Sequence, residues 1–234
     1  MPFTIASSSK LSSRQRLALA GNTWVVNCQT VGTAIAYAQL TSYSATANGL
    51  FVLYNGYSVA SNVHVHLDRL ELFQTAAVAT GTTWSFEAYN ETGQVTGTTA
   101  VVTRTPIQIN QRATAAQTTS VVVQAFNAGA ITIPASVGTR YLVGQAWIPI
   151  GVNVVKDSYV LDFGSDAISA GKTGLTAARA TDVARCTGQM NAVVIPPQTT
   201  TWINMWGCGT ATPSFEYNLV YHELKGSGSQ EPEA

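Results

Sequence analysis

The chain has 234 residues, of which 46% are hydrophobic and only 10% are charged, whereas globular proteins average about 25% charged residues. This composition excludes an intrinsically disordered protein. Twelve basic residues balance twelve acidic ones, so the whole chain carries no net charge that would draw it to nucleic acid or to an anionic membrane.

Residues 1–20 are predicted to form a flexible, basic, Ser-rich arm. Lys10, Arg14 and Arg16 are the only charges before Asp68 and lie in the segment SSSKLSSRQR, which has no clear hydrophobic period. Such an arm either contacts a neighbouring subunit or nucleic acid, or is a solvated tail. Three charges release few counterions, so any nucleic-acid contact would be weak. The segment lacks the apolar centre of a signal peptide, and no run in the chain approaches the ~18 apolar residues of a membrane span.

Residues 21–225 are predicted to form one all-β domain of two packed antiparallel sheets with little helix. Short runs of β-branched and aromatic residues alternate there with Gly, Asn, Pro and Ser, as in proteins built of many short strands. The candidate strands are Trp24–Cys28, Ala34–Leu40, Leu50–Tyr54, Val63–Phe73, Thr83–Tyr89, Thr98–Arg104, Ser120–Phe126, Tyr141–Ile148, Ser158–Phe163, Ala192–Ile195, Thr201–Trp206 and Ser214–His222. Leu175–Cys186 could be a helix or a loop.

Alternation along these strands predicts which side chains face inwards. Trp84, Phe86 and Ala88 share one face of their strand. In the last strand, one face carries Phe215, Tyr217, Leu219 and Tyr221, and the other carries Ser214, Glu216, Asn218 and His222. Within Val63–Phe73 the apolar phase slips by one residue, which predicts a β-bulge near Asp68 or Arg69.

The last segment, residues 226–234, reads GSGSQEPEA. We interpret it as a Gly/Ser linker followed by a C-terminal affinity tag and exclude it from the fold.

One candidate metal site lies in the segment HVHLD. His64, His66 and Asp68 alternate, so they would project from one face of a strand. His66 and Glu71 together resemble part of the first cupin motif, but Val154 occupies the position of the later cupin histidine. Two imidazoles and a carboxylate are too few to hold a transition metal tightly. We therefore predict no metal and no cofactor, with His64, His66 and Glu71 as the candidates if one binds.

Two further sets of residues could carry function. Glu87 and Glu216 could act as the carboxylate pair of a glycosidase if they flanked one groove. Trp202 and Trp206 have the same strand parity and precede a flexible Gly-Cys-Gly, so they are the candidates for an exposed glycan-binding surface. Core packing is the alternative for both tryptophans.

The sequence gives no sign of nucleophilic or nucleotide-dependent catalysis. It contains neither a P-loop nor a GxSxG motif. Cys28, Cys186 and Cys208 are odd in number and widely spaced, without a CxxC pair. We expect buried thiols, with a disulfide between two of them as the alternative.

Low charge also bears on assembly. A surface rich in Thr, Ser, Gln and Asn packs against copies of itself without strong repulsion. Lysine, which guards the edge strands of many monomers, is almost missing from the predicted strands. We therefore expect a homo-oligomer.

The order of the strand segments resembles that of a family of viral proteins. A Ser-rich lead is followed by the segments VHVHLDRLELF, TWSFEAYNETG, YVLDFG, VVIPPQTTTWINMW and PSFEYNLVYHEL. The order and spacing of these segments resemble those of jelly-roll structural proteins of tailed bacteriophages and related virus particles. The resemblance implies a non-enzymatic shell, decoration or fibre subunit of a virion. Its partners would be itself and other virion proteins, and it would be made in the host cytoplasm.

Two alternatives remain. The first is a glycan- or receptor-binding sandwich that uses Trp202 or Trp206. The second is a cupin-like metalloprotein centred on His64, His66 and Glu71.

Overall fold

The computed structural model describes residues 13–29, 35–38, 43–76, 83–110, 118–135, 138–149, 156–164, 185–207 and 212–226. These residues contain one α-helix, α1 (Ser13–Leu19), a 3-10 turn at Val59–Ser61 and fourteen strands. The strands are β1 (Thr23–Asn27), β2 (Ile35–Ala36), β3 (Gly49–Asn55), β4 (Val63–Ala76), β5 (Thr83–Thr92), β6 (Val101–Arg104), β7 (Ile107–Gln108), β8 (Val121–Phe126), β9 (Arg140–Pro149), β10 (Ser158–Phe163), β11 (Arg185–Met190), β12 (Val194–Ile195), β13 (Thr199–Gly207) and β14 (Ser214–Lys225).

The strands form two sheets that pack face to face. The first sheet has the order β11-β10-β4-β14-β1-β7, with β12 and β2 added beside β4 and β14, and the second has the order β6-β8-β3-β13-β5-β9. Pairing is antiparallel except between β10 and β11, which are parallel. The predicted all-β sandwich is therefore confirmed.

Eight of these strands have the connectivity of a jelly roll. In chain order these strands are β1, β3, β4, β5, β9, β10, β13 and β14. They are arranged as β10-β4-β14-β1 in the first sheet and as β3-β13-β5-β9 in the second. This is the double-sheet arrangement made by two Greek keys. β6, β7 and β8 lie between β5 and β9 in the chain and extend one lateral end of the sandwich.

The core lies between the two sheets and is rich in aromatic rings. Phe51 of the second sheet contacts Tyr217 of the first edge to face, with ring centroids 5.0 Å apart, and Trp84 contacts Phe215 at 6.3 Å. All four side chains are buried. Edge-to-face contacts of this kind add to the free energy gained by burying the rings.

The predicted bulge in the long fourth strand is confirmed. Arg69 pairs with Val220, whereas the next pair joins Leu67 to Tyr221, so Asp68 is the extra residue on β4. The bulge returns the side chains after it to the inner face. Leu70 is accordingly as deeply buried as Leu67.

The described elements depart from the prediction at three places. Ser13–Leu19 is an α-helix, so the prediction of a flexible arm is wrong there; Lys10 lies outside the described residues. β7 was not predicted, and Arg185–Met190 is a strand. The rest of the predicted helix or loop that ends at Cys186 lies outside the described residues. No described helix is long and apolar enough to span a membrane.

Candidate functional site

The chain's three histidines lie together on the outer face of the first sheet. Val65 and Leu67 of β4 point into the core, so His64 and His66, which alternate with them, face outwards. His222 pairs with His66 across β4 and β14. Burial, followed by the two neighbouring imidazoles, lowers the pKa of His66 below its ordinary value.

Helix α1 contacts this face through Arg14. The Arg14 Nε lies 2.7 Å from the Asp68 Oδ1, and its Nη2 lies 3.8 Å from the Asp162 Oδ1. Asp68 also lies 3.8 Å from the His222 Nε2, while the His222 Nδ1 is 2.9 Å from the Thr23 hydroxyl. Burial raises the pKa of Asp68, but His222, Arg14 and Arg69 outweigh it, so the net pKa is lowered.

The predicted metal ligands do not form a binding group. His64 and His66 precede the bulge at Asp68, and Glu71 follows it beside Ser158 of β10, whose hydroxyl lies 3.4 Å from its Oε1. No group of three or more His, Cys, Asp or Glu side chains is placed to hold a metal ion in the part of the chain that the structure describes. Within these residues the structure therefore does not support a cupin-like metal site at His64, His66 and Glu71.

The predicted glycosidase pair is also separated. Glu87 lies on β5 of the second sheet and Glu216 on β14 of the first. Glu216 instead lies near Glu71, across a surface cleft of about 370 Å³ on the first sheet. The cleft is lined by Asn27, Cys28, Gln29, Glu71, Phe73, Glu216, Tyr217 and Asn218. Cys28 is a buried thiol; Cys208 and the side chain of Cys186 lie outside the described residues.

Trp202 faces away from the core on the second sheet, yet it is 0% exposed. The segment before β3 covers it, since the carbonyl of Ala45 accepts hydrogen bonds from the Trp202 indole, at 3.4 Å, and from the Asn204 amide, at 2.9 Å. Tyr89 stacks on the same ring. The prediction that Trp202 is exposed is therefore wrong. Trp206 is half-buried.

The outer face of the second sheet presents aromatic rings around a carboxylate. Glu87 of β5 accepts hydrogen bonds on Oε2 from the hydroxyls of Tyr43 and Tyr89, and the Gln145 Nε2 lies 3.3 Å from its Oε1. Trp147 lies on the neighbouring strand β9 and is 59% exposed, and Tyr43 is 47% exposed. Burial and the hydrogen bonds to Glu87 and Tyr89 raise the pKa of Tyr43, which keeps its hydroxyl protonated as a donor.

The sequence favoured Trp202 and Trp206 over Trp147 and the tyrosines as the exposed aromatic residues, and the structure instead exposes Trp147 and Tyr43. The signal for Trp147 was present, because Ala146 and Ile148 on either side of it are buried and an outward Trp between them follows from alternation. Tyr43 belongs to a connection, and strand periodicity does not say where a connection lies.

A buried ion pair borders this face. The Arg140 Nε lies 2.6 Å from the Glu91 Oε2, the amide of Gly138 donates to the other oxygen at 3.0 Å, and Glu91 is 0% exposed. The Arg140 guanidinium also lies 4.9 Å from the centre of the Trp202 ring. The arginine thus links the end of β9 to the buried part of the face.

The molecule is thus a jelly roll with polar clusters on the outer faces of both sheets and with exposed aromatic rings on the second. Comparison of the chain with protein-family models, with curated proteins and with solved structures found no match in any of the three.

Proposed function

We propose that the chain is a non-enzymatic structural subunit that self-associates, as a shell, decoration or fibre component of a virus particle. The jelly roll is one of the folds used by capsid proteins, although lectins and cupins share it. What carries the proposal is the character of the sheet edges, because assembly requires surfaces that bind other copies.

Both sheets end in a strand that exposes large apolar side chains. β9, the last strand of the second sheet, exposes Tyr141 and Leu142 by 59% and 49%. At β7, the last strand of the first sheet, Ile107 and the following Ile109 are exposed by 37% and 49%. Neither strand contains a lysine, the residue that commonly protects an edge from pairing with another chain.

The two apolar edges lie at opposite lateral ends of the sandwich. β9 packs against β11. Gly144 of β9 lies so close to Met190 of β11 that a Cβ added at Gly144 would come within 2.6 Å of the Met190 side chain. β11 and β7 are the two ends of the first sheet, so β7 lies away from β9. Two dissimilar edges at opposite ends favour head-to-tail contacts, which close into rings or extend into larger assemblies.

Light scattering after size-exclusion chromatography, with electron microscopy of the same fractions, tests the proposal. We expect species larger than a monomer, growing with protein concentration. Leu142→Lys on β9 and Ile107→Lys on β7 are each expected to shift the population towards monomer. Val59→Lys is the matched control, since Val59 is 72% exposed on the 3-10 turn and lies at neither edge.

A wild-type chain that stays monomeric at every concentration would overturn the proposal. Assembly that survives both edge substitutions would show that other surfaces make the contacts, and the role assigned to the edges would be wrong.

A further inference from the structure

We propose that the outer face of the second sheet also binds a neutral glycan. The site, which we name the Trp147 platform, consists of Trp147, Ser85, Trp206, Gln145, Glu87 and Tyr43. It goes beyond the proposed structural role and does not depend on it.

Two tryptophans flank a serine in a row that crosses three adjacent strands of the sheet. Ser85 of β5 pairs with Trp147 of β9 on one side and with Trp206 of β13 on the other. Neighbouring strands lie about 4.8 Å apart, so the two tryptophan backbones are about 10 Å apart. Tyr43 stands edge to face against Trp206, with centroids 6.1 Å apart. The exposed rings of Trp147 and Tyr43 thus bound a strip that is wide enough for sugar rings.

A polar row lies directly beside the aromatic one. Gln145 pairs with Glu87 in the β9–β5 register, and Gln145 is exposed. A carboxylate offers about four acceptor positions, and the amide of Gln145 and the hydroxyls of Tyr43 and Tyr89 occupy three on Glu87. Glu87 is only 8% exposed, so it holds these three side chains in place, and the exposed amide of Gln145 and hydroxyl end of Tyr43 are the groups that sugar hydroxyls can reach.

This combination matches the chemistry of a pyranose. A sugar ring has an apolar face of C–H groups, which packs on the electron-rich face of an indole, and a rim of hydroxyls that needs hydrogen-bonding partners. A few well-placed polar groups beside aromatic side chains are the usual composition of a small-ligand site. A partner that was apolar throughout would cover the exposed amide of Gln145 and leave its remaining hydrogen-bonding positions without water or a partner, at a cost in free energy.

The charge on the face selects for a neutral ligand. Arg140 is the only cation on β5, β9 and β13, and it is held by Glu91 and by the Trp202 ring. A sulfated or carboxylated glycan would approach the Glu87 carboxylate without a cation to offset the repulsion. We therefore infer an uncharged oligosaccharide that lies across the three strands.

Isothermal titration calorimetry and tryptophan fluorescence test the inference. The neutral probes are cellohexaose, chitohexaose and xylohexaose, and the anionic probe is a heparin hexasaccharide. We expect at least one neutral probe to bind and the anionic probe not to bind. Trp147→Ala should weaken binding by about tenfold or more, and Glu87→Gln should weaken it less, because it keeps the shape and one acceptor. Phe73→Ala, which removes an exposed ring from the other sheet, should bind like the wild type.

The same titrations on Ile107→Lys, at the far edge of the other sheet, separate this site from self-association, since the glycan binding of this variant should match that of the wild type. The inference is overturned if none of the three neutral probes binds at millimolar concentration, if Trp147→Ala and Phe73→Ala bind equally well, or if heparin alone binds. Trp147→Ala that disrupts self-association while no glycan binds would show that a second copy of the chain covers this face instead.

Discussion

Trp202 stacks on Tyr89 on the outer face of the second sheet, with ring centroids 5.5 Å apart and ring planes 15° from parallel. A residue that points away from the sandwich core is thus packed as tightly as one inside it. The hydrogen bonds to the Ala45 carbonyl hold the covering segment over the indole. The second sheet therefore has a small apolar layer outside its main core.

Trp202→Ala is expected to lower the free energy of unfolding by about 3–5 kcal/mol, the usual cost of truncating a fully buried aromatic side chain. Trp147→Ala, on the same face but 59% exposed, should change it by less than about 1 kcal/mol. Urea unfolding followed by circular dichroism measures both. Equal losses in the two variants would contradict the burial of Trp202.

The sequence predicted those features that depend on neighbours along one strand. Alternation placed Phe215 and Tyr217 inwards and His222 outwards, and the slip in apolar phase predicted a bulge near Asp68 or Arg69, which the structure has at Asp68. Both follow from the two-residue period of a strand, which a sequence displays directly.

Features that depend on contacts distant in the chain could not be predicted in this way. Trp202 is buried because a connection more than 150 residues earlier in the chain crosses it, and alternation does not reveal such a cover. Glu216 lies near Glu71 rather than Glu87 because of the order of strands in the sheets. Helix α1 has no apolar stripe, and an ion pair with the distant Asp68 holds it against the sheet.

Two arginine–carboxylate pairs of similar length should differ in their contribution to stability. Arg140→Ala leaves the fully buried Glu91 without its cation, and breaking a buried pair typically costs about 3–5 kcal/mol. Arg14→Ala breaks a pair in which the arginine is 45% exposed, and exposed pairs contribute at most about 1 kcal/mol. Chemical denaturation of the two variants measures the difference. A loss from Arg14→Ala as large as that from Arg140→Ala would contradict it.

Glu223 should make stability fall as the pH rises from acid to neutral. Burial raises the pKa of its carboxyl, although hydrogen bonds from Thr119 and Tyr57 act in the opposite direction. Below its ordinary pKa, about 4.3, the carboxyl is neutral in both the folded and unfolded states. As the pH rises through the higher pKa of the folded state, the unfolded chain ionises more readily and stability is lost.

Glu223→Gln removes this titration and leaves a side chain of the same size. We expect the free energy of unfolding of the variant, minus that of the wild type, to be larger at pH 7 than at pH 4, because only the wild type loses stability as Glu223 ionises. Urea midpoints at the two pH values test this. A difference between variant and wild type that is the same at both would show that Glu223 does not titrate abnormally.

His66 should change stability with pH in the direction opposite to Glu223: stability should fall as the pH decreases. Its pKa is lowered by burial and by the nearby His64 and His222, so the folded state resists a proton that the unfolded state accepts at about pH 6.5. Stability is therefore lost as the pH falls below about 6.5. Asp68, whose net pKa is lowered, contributes stability that is lost only at still lower pH, below its ordinary value of about 3.9.

An NMR titration of the imidazole resonances separates the two groups, because it follows His66 directly. His66 should titrate below 6.5, and His66→Gln should be less sensitive to acid than the wild type between pH 6.5 and 5. A His66 that titrates at or above its ordinary pKa would mean that neither burial nor the two neighbouring imidazoles disfavours its charged form.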